Sequence, residues 1–155
     1  MKKRVMFICS VGGHLTQMLQ LKEIFNDYDY VLVTEKTAIT EELKNKYNLR
    51  FLFYGSRNYI FKYIFVLIGN LFKSIYYFCK FRPKVIVTTG THTAVFMCYL
   101  GWIFRRKVIF IESYAKSSSP TLSGKLVYPI ATTFIVQWES MLKVYPKAKF
   151  FGGIY

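Results

Sequence analysis

Acidic residues are scarce in this sequence: 8 Asp and Glu stand against 22 Lys and Arg, a formal net charge of +14 over 155 residues. That imbalance points to a polyanionic partner, whether nucleic acid, an anionic membrane surface or a phosphorylated substrate. Cysteine is also sparse. Cys9, Cys79 and Cys98 are odd in number, form no CxxC pair and stand in apolar runs, which excludes a disulfide framework and fits reduced core thiols in a cytosolic compartment. The chain has only two histidines. With no ligand-type spacing around them the sequence argues against a zinc site, and neither a metal nor another cofactor is expected. Internal repeats, low-complexity tracts and linkers are missing, and the apolar run after Met1-Lys2-Lys3-Arg4 is too short for a secretory signal and ends at glycines. A single domain over residues 1–155 is expected.

What is present is apolar and aromatic material, 53% and 19% of the residues, enough to bury one sizeable core. Strand-length runs rich in Val, Ile and Phe occupy residues 4–10, 30–34, 51–55, 84–89, 107–112 and 133–137; they are mostly continuous rather than alternating, as for strands buried on both faces. Helix-length segments at 14–26, 40–47, 58–81, 93–104 and 119–131 separate them. Strands alternating with crossover helices define an α/β fold, a Rossmann-like, doubly wound parallel sheet.

Residues 59–81, YIFKYIFVLIGNLFKSIYYFCKF, are the compositional outlier. Lys62, Lys73 and Lys80 interrupt the segment, so its longest uncharged stretch is about ten residues, short of the ~20 that span a bilayer. At ~100° per residue the three lysines fall within about 20° of one another, and Phe65, Leu67, Phe72 and their apolar neighbours fill most of the remaining circumference. Such a helix either packs under a further element or subunit, or lies in the interface of an anionic membrane. Arg82, Lys84 and Arg105-Arg106-Lys107 favour the membrane.

In a doubly wound sheet the ligand sits beyond the carboxyl ends of the strands, at the point where strand order reverses. Three stretches place chemistry there: Gly12-Gly13-His14 after the first strand, Gly90-Thr91-His92 after the fourth and Glu112-Ser113 at the end of the fifth. A strand order 3-2-1-4-5 brings both histidines to one crevice with Glu112 beside them. Glycines before a helix let backbone approach phosphate oxygens, and a histidine there suits phosphate binding or general base catalysis. Alternatives stand beside each: His14 as a helix-start residue bonded to a nearby carbonyl, His92 in a structural threonine-rich loop, Glu112 as a cap on the next turn. The GxGxxG spacing of dinucleotide-binding loops is absent. Glu35, where a ribose-binding acid would stand, is expected to be solvated.

The stretches GGHLTQM after the first strand, IES at the end of the fifth, LSGKLVYPIATTFIVQW and YPKAKFFG resemble the Alg14-type subunit of two-chain glycosyltransferases, with its bacterial capsule and exopolysaccharide counterparts of the PssD and Cps14F types. The resemblance covers nearly the whole chain. It implies the amino-terminal, acceptor-side half of a GT-B fold, similar to the first domain of MurG. It also implies an Alg13- or PssE-like catalytic partner chain that carries most of the UDP-sugar site and is recruited to the cytoplasmic face of the plasma membrane. The reaction implied is inverting transfer from a UDP-sugar to a saccharide on undecaprenyl diphosphate. On this basis Gly12, Gly13, His14, Thr91 and His92 would meet the acceptor diphosphate, His14 would be the base, and Glu112 is a second catalytic candidate. The membrane contact would fall to Lys62, Phe65, Leu67, Phe72, Lys73 and Lys80. A stand-alone nucleotide- or nucleic-acid-binding module is the rival. It would mix basic and aromatic residues on an exposed sheet or loop, whereas the aromatics here concentrate in one helix, so no nucleic-acid partner is expected. A non-catalytic membrane scaffold is the third alternative.

Overall fold

Continuous apolar runs form the strands Arg4–Ile8 (β1), Asp29–Glu35 (β2), Leu49–Leu52 (β3), Val85–Thr88 (β4), Lys107–Ile111 (β5), Thr133–Val136 (β6) and Lys149–Phe150 (β7). The structure, a computed structural model, describes residues 1–55 and 60–154, leaving aside the side chains of Ile60 and Lys62. All strand pairs are parallel, in the order β3-β2-β1-β4-β5-β6-β7. The expected 3-2-1-4-5 order is present and extended by two strands. Helices Gly13–Leu19 (α1), Ala38–Glu42 (α2), Ile60–Phe81 (α3), His92–Ile103 (α4) and Leu122–Val127 (α5) make the crossovers. The pleat divides β1 between two cores: Val5, Phe7 and Cys9 pack with Leu15, Met18 and Phe25, whereas Met6 and Ile8 pack with Phe78, Ala94 and Met97.

Departures from the sequence-based boundaries have local causes. The helix expected over 14–26 stops at Leu19 and resumes as a 3-10 turn, Lys22–Asp27, a change of pitch that brings Phe25 onto the Phe7 ring at 4.3 Å. The third strand ends at Leu52 rather than Gly55, because the Asn70 side chain takes both backbone bonds of Phe53, accepting from its N–H at 2.7 Å and donating to its carbonyl at 3.0 Å. The helix expected over 119–131 shrinks to α5. β7 is too short to leave a periodic signal. Cys9 and Cys98 are core thiols that burial pushes up to about 12, but Cys79 is exposed.

α3 buries one narrow stripe, Asn70, Ser74 and Phe78, and exposes the opposite one, Phe61, Ile64, Phe65, Ile68, Phe72, Ile75 and Tyr76. The lysine stripe expected along it needs correction. Lys73 folds back onto the end of β3, its ammonium donating to the Phe51 carbonyl at 2.9 Å and lying 3.8 Å from the Phe53 ring centroid. Lys80 stays exposed beside Tyr76. The side chain of Lys62, and Asn58 and Tyr59 altogether, lie outside the described residues. Leu67, expected on the membrane face, instead turns into the wall of the cleft described next.

Candidate functional site

Cys9-Ser10-Val11 follow β1, and the chain turns into α1 through Gly12, whose φ of 77° and ψ of −142° suit only glycine. Gly13 differs: its φ is unremarkable and a Cβ there would meet nothing within 4 Å. The fold therefore needs glycine at 12 but not at 13, where it leaves the backbone open to an approaching ligand. α1 begins here and brings His14 to the β4–α4 loop. His14 Nδ1 lies 2.7 Å from the Thr89 carbonyl, and Thr89 Oγ1 donates to the His14 carbonyl at 2.8 Å. A carbonyl only accepts, so Nδ1 carries the proton and Nε2 of the neutral ring presents a lone pair.

A cleft of about 610 Å3 opens beyond the strand ends. Ser10, His14, Thr91 and His92 line it on one side, Lys116 and the residues 120–123 leading into α5 on another, and Leu67 of α3 on a third. Both histidines thus line one cavity. His14 is shared with a second hollow of about 420 Å3 that includes Gly13, Gln17 and Tyr114. Thr91, buried, receives a bond from neither ring: its N–H donates to Ser123 Oγ at 3.2 Å and its hydroxyl pairs with Thr93 at 2.9 Å. His92 packs edge-on against Tyr63, with ring centroids 5.4 Å apart, and places Nε2 4.0 Å from Glu35 Oε1.

Glu35 is not solvated as expected. Only 3% of it is exposed, its Oε2 accepts a long bond of 3.4 Å from the Val11 N–H, and burial raises its pKa, with that bond opposing. Sequence alone shows an acid at a strand end; its burial follows from the Ser10–Gly12 turn closing over it.

Glu112 lies behind the cleft and not among its lining residues. It is 1% exposed. Oε1 accepts from the Ser113 N–H and the Thr121 hydroxyl, both at 2.8 Å, and Oε2 from the Thr121 N–H at 3.3 Å and the Tyr145 hydroxyl at 3.0 Å. Thr121 in turn caps α5 by accepting from the Gly124 N–H at 2.9 Å. The carboxylate therefore fixes the α5 side of the cleft, and its negative charge, after burial, raises the Tyr145 pKa. This explains the glycine of LSGK: a Cβ at Gly124 would lie 2.2 Å from Glu112 Oε2. Gln137 of FIVQW has a similar part, donating to the Gln17 side chain at 2.9 Å and to the Glu112 carbonyl at 2.8 Å.

The sequence left Thr89, Lys116, Thr121, Ser123 and the Gln17–Gln137 bridge unassigned. Thr121-x-x-Gly124 at a helix start carried a capping signal; the bridge, 120 residues long in sequence, carried none.

The profile of the family described as "Oligosaccharide biosynthesis protein Alg14 like" matches residues 5–154. The UDP-N-acetylglucosamine transferase subunit alg14 of Schizosaccharomyces pombe is 26% identical over 97% of this chain and 83% of its own length. Among solved structures, MurG of Acinetobacter baumannii superposes with a TM-score of 0.71 at 14% identity, over 89% of this chain and 42% of that one. UDP-N-acetylglucosamine 2-epimerase of Rickettsia bellii gives 0.76 at 13%, over 99% and 46%. The chain thus spans less than half of either solved structure, and matches the amino-terminal, Rossmann-like half of a GT-B fold.

Proposed function

The chain belongs to the Alg14-like family of oligosaccharide biosynthesis proteins, and from that membership we propose that it is the acceptor-binding subunit of a glycosyltransferase completed by a second, Alg13- or PssE-like chain. The observation that carries the proposal is the pair of strand-end hollows that share His14, one lined by the open backbone of Gly13 and the other by Thr91, His92 and Lys116. The donor is a UDP-sugar held mainly by the partner, UDP-N-acetylglucosamine by analogy with the fission-yeast relative. The acceptor is a saccharide on a polyprenyl diphosphate, in the bacterial setting that of capsule or exopolysaccharide synthesis.

The chemistry assigned to this chain is limited. The acceptor diphosphate lies along Gly12 and Gly13, with His14, Thr91, His92 and Lys116 facing it. His14 Nε2 removes the proton of the attacking hydroxyl, while the Thr89 carbonyl, bonded to Nδ1, holds the ring in place. Attack on the anomeric carbon expels UDP in one inverting step, with the leaving charge met on the partner's side. Glu112 acts as a positioning residue through α5, not as a second base.

The outer face of α3 sets this cleft against a membrane. By length and composition Tyr63–Phe81 would suffice to cross a bilayer, but the Asn70–Ser74–Phe78 stripe is packed into the domain, so α3 lies along the cytoplasmic surface with its outer residues in the interface.

Gly13→Val tests the site. Because the space beside Gly13 is empty, the variant should fold and bind its partner, yet lose acceptor use. His14→Ala should lower kcat by ~10²–10⁴-fold, and His14→Gln should do nearly the same. Near-normal turnover by His14→Gln would reduce the histidine to a hydrogen-bonding residue.

A further inference from the structure

The two long helices on the outward side of the sheet both end in an arginine in left-handed backbone: Arg82, φ 51°, follows α3 and Arg105, φ 53°, follows α4. Glycine usually takes that position, because a side chain there crowds its own backbone. Two arginines at such places keep cations at one end of the molecule against a conformational cost. Helix C-termini favour cations in general, but α3 is already served by Arg4, whose Nη1 donates to the Phe81 carbonyl at 3.0 Å.

Between the two helix ends lies a cleft of about 350 Å3 lined by Phe78, Cys79, Arg82, Phe104 and Arg106. The Phe78 and Phe104 rings pack 5.2 Å apart, and the Nε of Arg106 is buried without an acceptor. An unpaired, desolvated guanidinium nitrogen is costly, and the guanidinium fork matches an oxyanion. Lys84, just before β4, and Lys107, at the start of β5, add two cations and are joined by a Lys107 N–H to Lys84 carbonyl bond of 3.2 Å. Among the described residues the Lys36–Glu41 ion pair and the His92–Glu35 contact both lie beyond the carboxyl ends of the strands and thus at the opposite end of the domain. Around the basic cleft the surface is apolar: Phe72, Ile75, Trp102, Ile103 and Phe104 are exposed.

We propose that this cleft seats the phosphate of an anionic phospholipid headgroup, while the surrounding aromatic and aliphatic side chains enter the acyl layer. A soluble phosphate would need the cations alone; the apolar rim is what selects a lipid. The proposal rests on the membrane-facing part of the proposed function and adds to it a defined site. A 22-residue helix is roughly 33 Å long at ~1.5 Å per residue, so the headgroup site pins one end of α3 to the bilayer and the other end brings the reaction cleft to the same surface.

The test is binding of the full chain to phosphatidylcholine vesicles with and without phosphatidylglycerol. Phosphatidylglycerol should raise the affinity of the unmodified protein. The pair Arg82→Gln/Arg106→Gln should lose most of that gain, roughly 25-fold at about fivefold per arginine, with phosphatidylcholine binding unchanged. Lys44→Gln/Lys46→Gln, which removes the same charge from the opposite side of the sheet, should keep the gain. Retention of the gain by the arginine pair, or equal losses in both pairs, overturns the site. If the unmodified protein binds neither vesicle, the membrane reading itself fails, and the phosphatidylcholine arm separates the two failures. Arg82→Gly should keep or raise the thermal midpoint while weakening phosphatidylglycerol binding; a lowered midpoint would make Arg82 a structural cap and overturn its role. A thermal shift by inorganic phosphate without vesicles, lost in the arginine pair, would replace the lipid by a soluble ligand.

Discussion

The two sides of the sheet are covered differently. On one side α1, the Lys22–Asp27 turn and the segment after α2 bury Leu15, Met18 and Phe25 and turn Thr16, Lys22, Glu23, Asn26 and Lys44 to water. On the other, α3 buries three residues of one stripe and leaves a row of Phe and Ile outside, continued by Trp102, Ile103 and Phe104 after α4. The first cover is finished for solvent. The second carries far more apolar surface than its contact with the sheet uses, and surplus of that kind marks an interaction face. The same chain supplies both, so the surplus belongs to α3 and α4 and not to the overall composition.

The difference is broken most sharply by paired phenylalanine substitutions. Phe25, 1% exposed and ringed by Phe7, Tyr30 and Tyr47, should cost about 3–5 kcal/mol of stability when changed to Ala. Phe65→Ser and Phe72→Ser on the outer face should stay within about 0.5 kcal/mol, measured by urea unfolding, and should instead reduce vesicle binding. Equal destabilisation on the two sides would mean that the outer face is core. A smaller effect is expected at the seam between α3 and the sheet: Asn70→Ala removes two hydrogen bonds to Phe53 and should cost about 1–3 kcal/mol, with faster exchange of the Phe53 amide proton as its local signature.

The smallest effect concerns the cleft's buried acid. Burial raises the Glu35 pKa above its ordinary 4.5, so the native state holds that proton more tightly than the unfolded chain does. Its contribution is therefore greatest at low pH and falls as pH rises from the ordinary value through the raised one. Glu35→Gln should flatten that decline and be neutral or stabilising near pH 7, read from unfolding midpoints across the range. A decline unchanged in the variant would assign the titration elsewhere.

Sequence periodicity was enough for the parallel sheet, its switch point and the meeting of the two histidines, because buried parallel strands are continuous apolar runs and their C-terminal loops share one edge. It was not enough for Glu35 and Glu112. Both stand at strand ends, and whether such an acid faces water or a ring of donors depends on residues as distant as Tyr145, 33 positions from Glu112. The same holds for Lys73. Helical spacing put it in line with Lys80, but its ammonium had a carbonyl of β3 within reach, and spacing on one helix carries no information about its neighbour.

The most direct measurement is sugar transfer from UDP-N-acetylglucosamine to a polyprenyl-diphosphate-linked saccharide by the purified chain, without and with an Alg13-like partner chain. The chain spans less than half of the solved structures that share its fold, and under the proposed function its cleft holds the acceptor only, so the chain alone should give no turnover and the partner should restore it. Robust transfer by the 155-residue chain on its own would contradict the two-chain account.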